Sequence, residues 1–207
     1  MAAAVVIPVK AFHAAKGRLA SALDPAERAA LARSMAEGVV RAAAPLPVTV
    51  VCDDPEVASW ARALDVTVAW TPGLGLDGAV EAGVGAVEAT GATRIVVAHG
   101  DLPLARDLAG LAQPGDREPT SITLVPDRHG DGTNVVVLPA GCGFRFAYGP
   151  GSFARHRAEG ARLGVAVHVV HDPHLGWDVD LPADLDLPTP EALARAVAAA
   201  AAPCPDR

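Results

Sequence analysis

DPAERAALARSMAEGVVRAA (Asp24–Ala43), followed almost at once by PVTVVC (Pro47–Cys52), is the stretch that decides the fold. Asp24 suits a helix N-cap, Pro25 the first helical position and Glu27 the first turn. The valine-rich run behind it has the length and composition of a strand. AVVIPV (Ala4–Val9) has the same character, so the chain opens as strand, helix, strand. Further on, DPEVASWARALD (Asp54–Asp65) repeats the helix design with Asp54 and Pro55, and TPEALARAVAAAAA offers Thr189 as a cap. VTVAW, TRIVVAH, SITLVP, NVVVLP and VAVHVV supply five more strand candidates. Apolar strands alternating with helices predict an α/β fold with a mostly parallel sheet covered by helices on both faces. The later strands follow one another with less helix between them, so an antiparallel member is expected there. No repeat or linker divides the chain, and residues 1–207 read as one domain.

Composition narrows the function. The 207 residues are 51% hydrophobic but only 4% aromatic, which favours helices packed closely on a sheet over a core built from rings. A formal net charge of −7 argues against a general nucleic-acid binder and makes any basic patch local. Cys52, Cys142 and Cys204 are too widely spaced for a zinc knuckle or a disulfide framework, and Cys52 reads as a buried thiol. MAAAVVIPVK lacks the basic start of a signal peptide, and the apolar runs are too short to span a bilayer. A cytoplasmic protein with no membrane partner is the expectation.

In such sheets ligands bind beyond the carboxyl ends of the strands, and four loops there carry unusual chemistry. Lys10, Lys16 and Arg18 follow the first strand, either as a phosphate site or as a solvated basic loop. TPGLGLDGAVEAG brings Gly73, Gly75 and Asp77 after the strand ending at Trp70. Glycines there let the backbone approach a ring or ribose closely, and Asp77 reads either as a nucleoside contact or as the cap of the next helix. Asp101, at the end of RIVVAHGDLPLA, and Asp178 and Asp180 in GWDVDLPADLDLPTP, form two carboxylate-bearing loops. Those suit Mg²⁺, which takes one or two carboxylates and leaves its other positions to water and phosphate; a turn or cap role is the alternative for Asp101. Thr133 and Asn134 lead a strand, while Gly149, Gly151 and Ser152 open a helix. That turn reads as an anion site for phosphate or carboxylate, or as a tight turn with Ser152 as its cap. Neither a P-loop nor a dinucleotide fingerprint is present. His168, His171 and His174 share no helical face and form no expected metal set, and His99 stands near Asp101.

Taken together, IPVKAFHAAKGRL, VVCDDPEV, GLGLDGAV, GDLPL, DGTNVV, YGPGSFARH and DVDLPADL resemble the phosphoenolpyruvate or 2-phospho-L-lactate guanylyltransferases of deazaflavin-coenzyme biosynthesis. That family is distantly related to the molybdenum-cofactor guanylyltransferases. The match runs from about Val5 to Leu185 with the blocks in order, and departs from the usual pattern at Asp77 (commonly Asn) and Leu181 (commonly Thr). The resemblance implies a Rossmann-like nucleotidyltransferase domain. It implies transfer of GMP from GTP to the phosphate of a small phosphorylated acid, with pyrophosphate released. Lys10, Lys16 and Arg18 would then meet the GTP phosphates, and Gly73, Gly75 and Asp77 the nucleoside. Asp101 and Asp180 would hold Mg²⁺; Thr133, Asn134, Gly149 and Ser152 would face the acceptor. Such a reaction needs no dedicated base, because the attacking phosphate oxygen is already an anion. The protein's task is to hold two anions together, and two unit charges ~4 Å apart repel by about 4 kcal/mol at an effective dielectric near 20. The readings set against it are a molybdenum-cofactor-type or sugar-phosphate nucleotidyltransferase, and a nucleotide-binding module without catalysis.

Overall fold

The computed structural model describes residues 2–113, 115 and 118–201; Cys204 and the PCPDR tail lie outside them. Its strands are β1 (Ala3–Pro8), β2 (Val48–Cys52), β3 (Thr67–Trp70), β4 (Arg94–Ala98), β5 (Ile122–Pro126), β6 (Thr133–Pro139) and β7 (Val167–Val169). They form one sheet in the order β3-β2-β1-β4-β6-β5-β7. Pairings β1–β2, β1–β4, β2–β3 and β5–β7 are parallel. The expected antiparallel member is β6, which runs against both β4 and β5.

The helices are α1 (Pro25–Ala42), α2 (Pro55–Ala63), α3 (Gly75–Ala89), α4 (Leu108–Ala112), α5 (Ser152–Leu163) and α6 (Pro190–Ala201). Their starts follow local chemistry. Asp24 accepts from the Glu27 amide while Glu27 returns a bond to the Asp24 amide, closing a capping box. Asp54 accepts from the amides of Glu56 and Val57, and Thr189 from that of Ala192.

Strand β1 shows how the two layers arise. Its side chains alternate between faces. Val5 and Ile7 pack with Ala32, Ala36 and Val39 of α1 and Val57 and Ala61 of α2. Ala4 and Val6 face the other way, toward Val80, Val84 and Val87 of α3. Helix α3 lies so close that a Cβ on Gly83 would sit 2.4 Å from a Val51 methyl and 2.8 Å from a Val6 methyl. Both neighbours are β-branched side chains held in the sheet and have little room to yield. Gly83→Ala should therefore destabilise the fold by ~1–3 kcal/mol even though alanine is the better helix former. Urea unfolding checks this, and an unchanged midpoint would contradict the close packing.

The order β2-β1-β4 places a topological switch between β1 and β4, because the chain leaves β1 toward β2 and returns on its other side. In open α/β sheets the crevice at such a point is where ligands bind. The segments leaving β1 and β4 are the ones carrying Lys10, Lys16, Arg18 and Asp101.

Candidate active site

A cleft of about 750 Å³ opens at that switch, a size suited to a nucleotide. Lys10, Lys16, Arg18, Asp101 and Asp180 all line it, and so do Asp53, Thr71, Gly75, Leu76 and His99. The chain's two lysines thus share one cleft in an acidic protein.

Lys16 is delivered by a left-handed residue. Its φ is +56°, a conformation that costs a non-glycine residue of order 1 kcal/mol, at the start of the short 3-10 turn Gly17–Leu19. Leu19, fully buried against Met35 and Val179, anchors that turn. Lys16 Nζ then lies 2.6 Å from Asp101 Oδ2 and 3.1 Å from Asp180 Oδ1. Arg18 approaches the other Asp180 oxygen at 3.6 Å. Asp101 follows β4 through His99 and Gly100. A Cβ at Gly100 would meet the Pro8 carbonyl at 3.3 Å, so the small residue lets the ends of β1 and β4 stay close. The late acidic loop is tied to the same point, because the Val179 amide donates to the Asp101 carbonyl at 3.3 Å.

Burial opposes ionisation of Asp101, but the charge of Lys16, followed by that of His99, outweighs it and holds the carboxyl below the ordinary aspartate value. Burial also opposes the charge on Lys16, yet Asp101 and Asp180 together raise its ammonium above the usual lysine value. Asp178 behaves oppositely: burial first, then the Asp101 charge, push its carboxyl up. The Asn134 amide lies between the Leu175 carbonyl (3.0 Å) and Asp178 Oδ1 (3.4 Å), which puts Asn134 beside the carboxylates.

The glycine-rich elements depart from expectation. Helix α3 begins at Gly75, so Asp77 falls inside its first turn and is not its cap. Its carboxylate accepts the Tyr148 amide at 2.8 Å, tying α3 to the loop before α5. At α5 the N-cap is Gly151, with φ +74°, and Ser152 is the first helical residue, 2% exposed. Three of the backbone amides expected to be spare there are already taken. Asp131 Oδ2 accepts the Gly151 amide, the Gly149 carbonyl accepts that of Ser152, and the Asp131 carbonyl accepts that of Phe153. The side chain of Arg155 gathers the carbonyls of Ala147, Tyr148, Gly149 and Pro150 around itself. Thr133 is buried, its hydroxyl 3.0 Å from His156 Nδ1. The structure therefore brings the cations and Asp101 and Asp180 together with Gly75, while Asp77, Thr133, Gly149 and Ser152 are held by partners of their own.

His156, which the sequence places on the helix opened by the Gly149–Ser152 turn without assigning it a role, is fully buried. Its Nε2 accepts the Ala147 amide at 3.0 Å, so the ring proton is on Nδ1, facing Thr133. Burial first, then the His99 and Arg155 charges, push its pKa down to about 4 from the usual 6.5. The unfolded chain thus binds a proton that the folded one refuses. The neutral ring's contribution is complete above about pH 6.5 and is lost as pH falls toward 4, by up to ~3 kcal/mol. Urea titrations from pH 7 to pH 4 should show that loss in the wild type and a flatter profile in His156→Gln; parallel profiles would remove the assignment.

The open α/β sheet with its cationic and carboxylate-bearing cleft at the switch point has the fold of solved nucleotide-handling transferases. A protein from Desulfovibrio desulfuricans, assigned as a nucleotide-diphospho-sugar transferase, superposes with a TM-score of 0.71 at 18% identity, over 88% of this chain and 84% of that one. CMP:2-keto-3-deoxy-manno-octonic acid synthetase, solved with CTP, gives 0.58 at 15% identity over 96% and 99% of the two chains. Residues 3–187 match the family model "Guanylyl transferase CofC like", and the chain belongs to that guanylyltransferase family. Among its relatives are phosphoenolpyruvate guanylyltransferases from Conexibacter woesei, 36% identical over 90% of this chain and 86% of that protein, and from Rubrobacter xylanophilus, 36% identical over 89% and 92%. No helix among the described residues is long and apolar enough to cross a membrane.

Proposed function

We propose that this protein transfers the GMP unit of GTP to the phosphate of a small phosphorylated acid, phosphoenolpyruvate in the first instance, in the cytoplasm. A phosphate oxygen of the acid attacks the α-phosphorus of GTP. The bond from that phosphorus to the bridging oxygen breaks, and pyrophosphate leaves with the electron pair. The observation that carries the reading is the convergence of Lys10, Lys16 and Arg18 with Asp101 and Asp180 in the switch-point cleft. Those cations offset the repulsion between the two anionic substrates and the charge that grows on pyrophosphate. Thr71, Gly75 and Leu76 form the wall for the nucleoside.

The carboxylates suit a divalent ion of the hard, oxygen-seeking kind. Asp101 Oδ1 is buried and without a hydrogen-bond partner, an orphan lone pair beside Asp180. Among the described residues no three acidic, histidine or cysteine side chains converge as a ready-made cage. That is the arrangement Mg²⁺ tolerates, with one or two carboxylates from the protein and the rest from phosphate and water. When bound it would polarise the phosphate oxygens. Asp101 and Asp180 would hold it, and Lys16, now paired to both, would be freed toward the triphosphate.

Pyrophosphate release measured with GTP, ATP or CTP against phosphoenolpyruvate, phospholactate and phosphoglycerate tests the proposal. Turnover should require GTP and one of these acids, stop with EDTA and return with excess Mg²⁺. GTP binding with no pyrophosphate from any pair would make the protein a binding module and defeat the enzyme reading. Preference for a sugar phosphate would replace the acceptor.

A further inference from the structure

The loop that carries Asp178 and Asp180 is unusually heavily restrained, and the restraint comes from residues that do not line the cleft. Asp184, 4% exposed, accepts the amides of both Asp180 and Leu181 on Oδ2, at 2.7 Å each. Its other oxygen is paired with the Arg128 guanidinium. Arg128 belongs to the turn between β5 and β6, fifty residues earlier in the chain than Asp178, and it grips the acidic loop at two further points. Its Nη1 donates to the Asp178 carbonyl at 3.1 Å, and its backbone amide to the Gly176 carbonyl at 2.8 Å. The guanidinium lies 4.2 Å from the centre of the Trp177 ring, whose own N–H donates to the Asp184 carbonyl.

Capping the short 3-10 turn Pro182–Leu185 would need only the Asp184 carboxylate. What a cap does not explain is a partly exposed cation bound on both sides of Asp180, to the backbone at Asp178 and the side chain at Asp184. That geometry leaves Asp180 little freedom except along its own side chain, which points to Lys16 and Arg18. A carboxylate that must meet a cation and a phosphate within a few tenths of an ångström needs a backbone fixed in this way.

We infer that Arg128 and Asp184 are positioning residues that fix the backbone around Asp180 and so set the carboxylate's place in the reaction; the kinetic part rests on the proposed guanylyl transfer. Burial works against the charge of Asp184, but its two amide donors and Arg128 hold the carboxyl below the usual aspartate value.

The test compares wild type with Arg128→Met and Asp184→Asn by amide hydrogen exchange over residues 176–185 and by pyrophosphate-release kinetics. Exchange at Asp180 and Leu181 should quicken about tenfold in both variants, as expected for loss of one charge-assisted restraint, with protection of β1 and β4 unchanged. kcat should fall ~10–100-fold while KM for GTP stays within about threefold, and the double variant should be no worse than the poorer single one, because both break one clamp. Unchanged exchange overturns the clamp, and quickened exchange with full kcat overturns its role in positioning. A wild type that releases no pyrophosphate sinks the proposed reaction instead, and the exchange measurement still decides the clamp. Should Asp184→Asn fail to fold, Arg128→Met, whose side chain is partly exposed, carries the comparison alone.

Discussion

Asp101→Asn should leave a folded protein whose pyrophosphate release is slower by roughly 10²–10³-fold. The substitution keeps the shape of the side chain and removes its charge. In the free protein it deletes the partner of the 2.6 Å contact to Lys16, but Asp180 still accepts from that ammonium at 3.1 Å, so the cation is not stranded. In the proposed reaction the loss is larger. Asp101 Oδ1 is buried and unpartnered, and an amide there presents a weaker ligand to a divalent ion or, turned over, an N–H that repels it. The effect should fall on kcat, with KM for GTP nearly unchanged, because the cations that meet the triphosphate remain. Thermal unfolding should shift by only a few degrees, in keeping with a pair that is a quarter exposed on the Asp101 side. Near-normal turnover would take Asp101 out of the chemistry, and collapse of the fold would make it a structural residue.

What could be read before the structure divides along sequence distance. Asp24, Asp54 and Thr189 were legible as caps because each completes its bonds within three residues. The seven strands were legible because short runs rich in valine and isoleucine have few other places to go, and the scarcity of helix late in the chain foreshadowed antiparallel β6. The cationic loop and Asp101 could be assigned to one end of the sheet from strand polarity, although they lie 85 residues apart. Asp77 was harder. The glycine at 75 takes φ +66° and lets α3 begin earlier than the carboxylate suggested, and the carboxylate's partner is 71 residues away. At the Gly149–Ser152 turn, Asp131, twenty residues earlier, takes the Gly151 and Phe153 amides, which no local pattern announces. Arg128 and Asp184 pair across 56 residues with no motif to announce them. Local chemistry gave the elements; side chains satisfied across the fold had to be seen.

Lys16→Ala should lower kcat/KM for GTP by about 10²-fold, the scale expected when one charged contact to a developing transition-state charge is removed. The free protein shows why this residue should matter more than Lys10 or Arg18. Lys10 is exposed and Arg18 largely so, whereas the Lys16 side chain is 9% exposed and bound to both carboxylates. It is the cation that neutralises the acidic side of the cleft when nothing else does. Two opposing consequences follow from removing it. The triphosphate loses a contact, which slows the reaction. Asp101 and Asp180 lose their counter-charge, so a divalent ion no longer competes with an ammonium for them, and Mn²⁺ should bind the nucleotide-free variant more tightly than the wild type. With the charge of Lys16 gone, burial acts on Asp101 with less opposition, its carboxyl pKa rises, and the acidic limb of the pH–rate profile moves to higher pH. Mn²⁺ titration followed by electron paramagnetic resonance, beside steady-state kinetics across pH, separates these effects. Slower turnover together with tighter Mn²⁺ binding is the expected pair of results. Slower turnover with weaker Mn²⁺ binding would mean that Lys16 orders the carboxylates for the metal and does not compete with it.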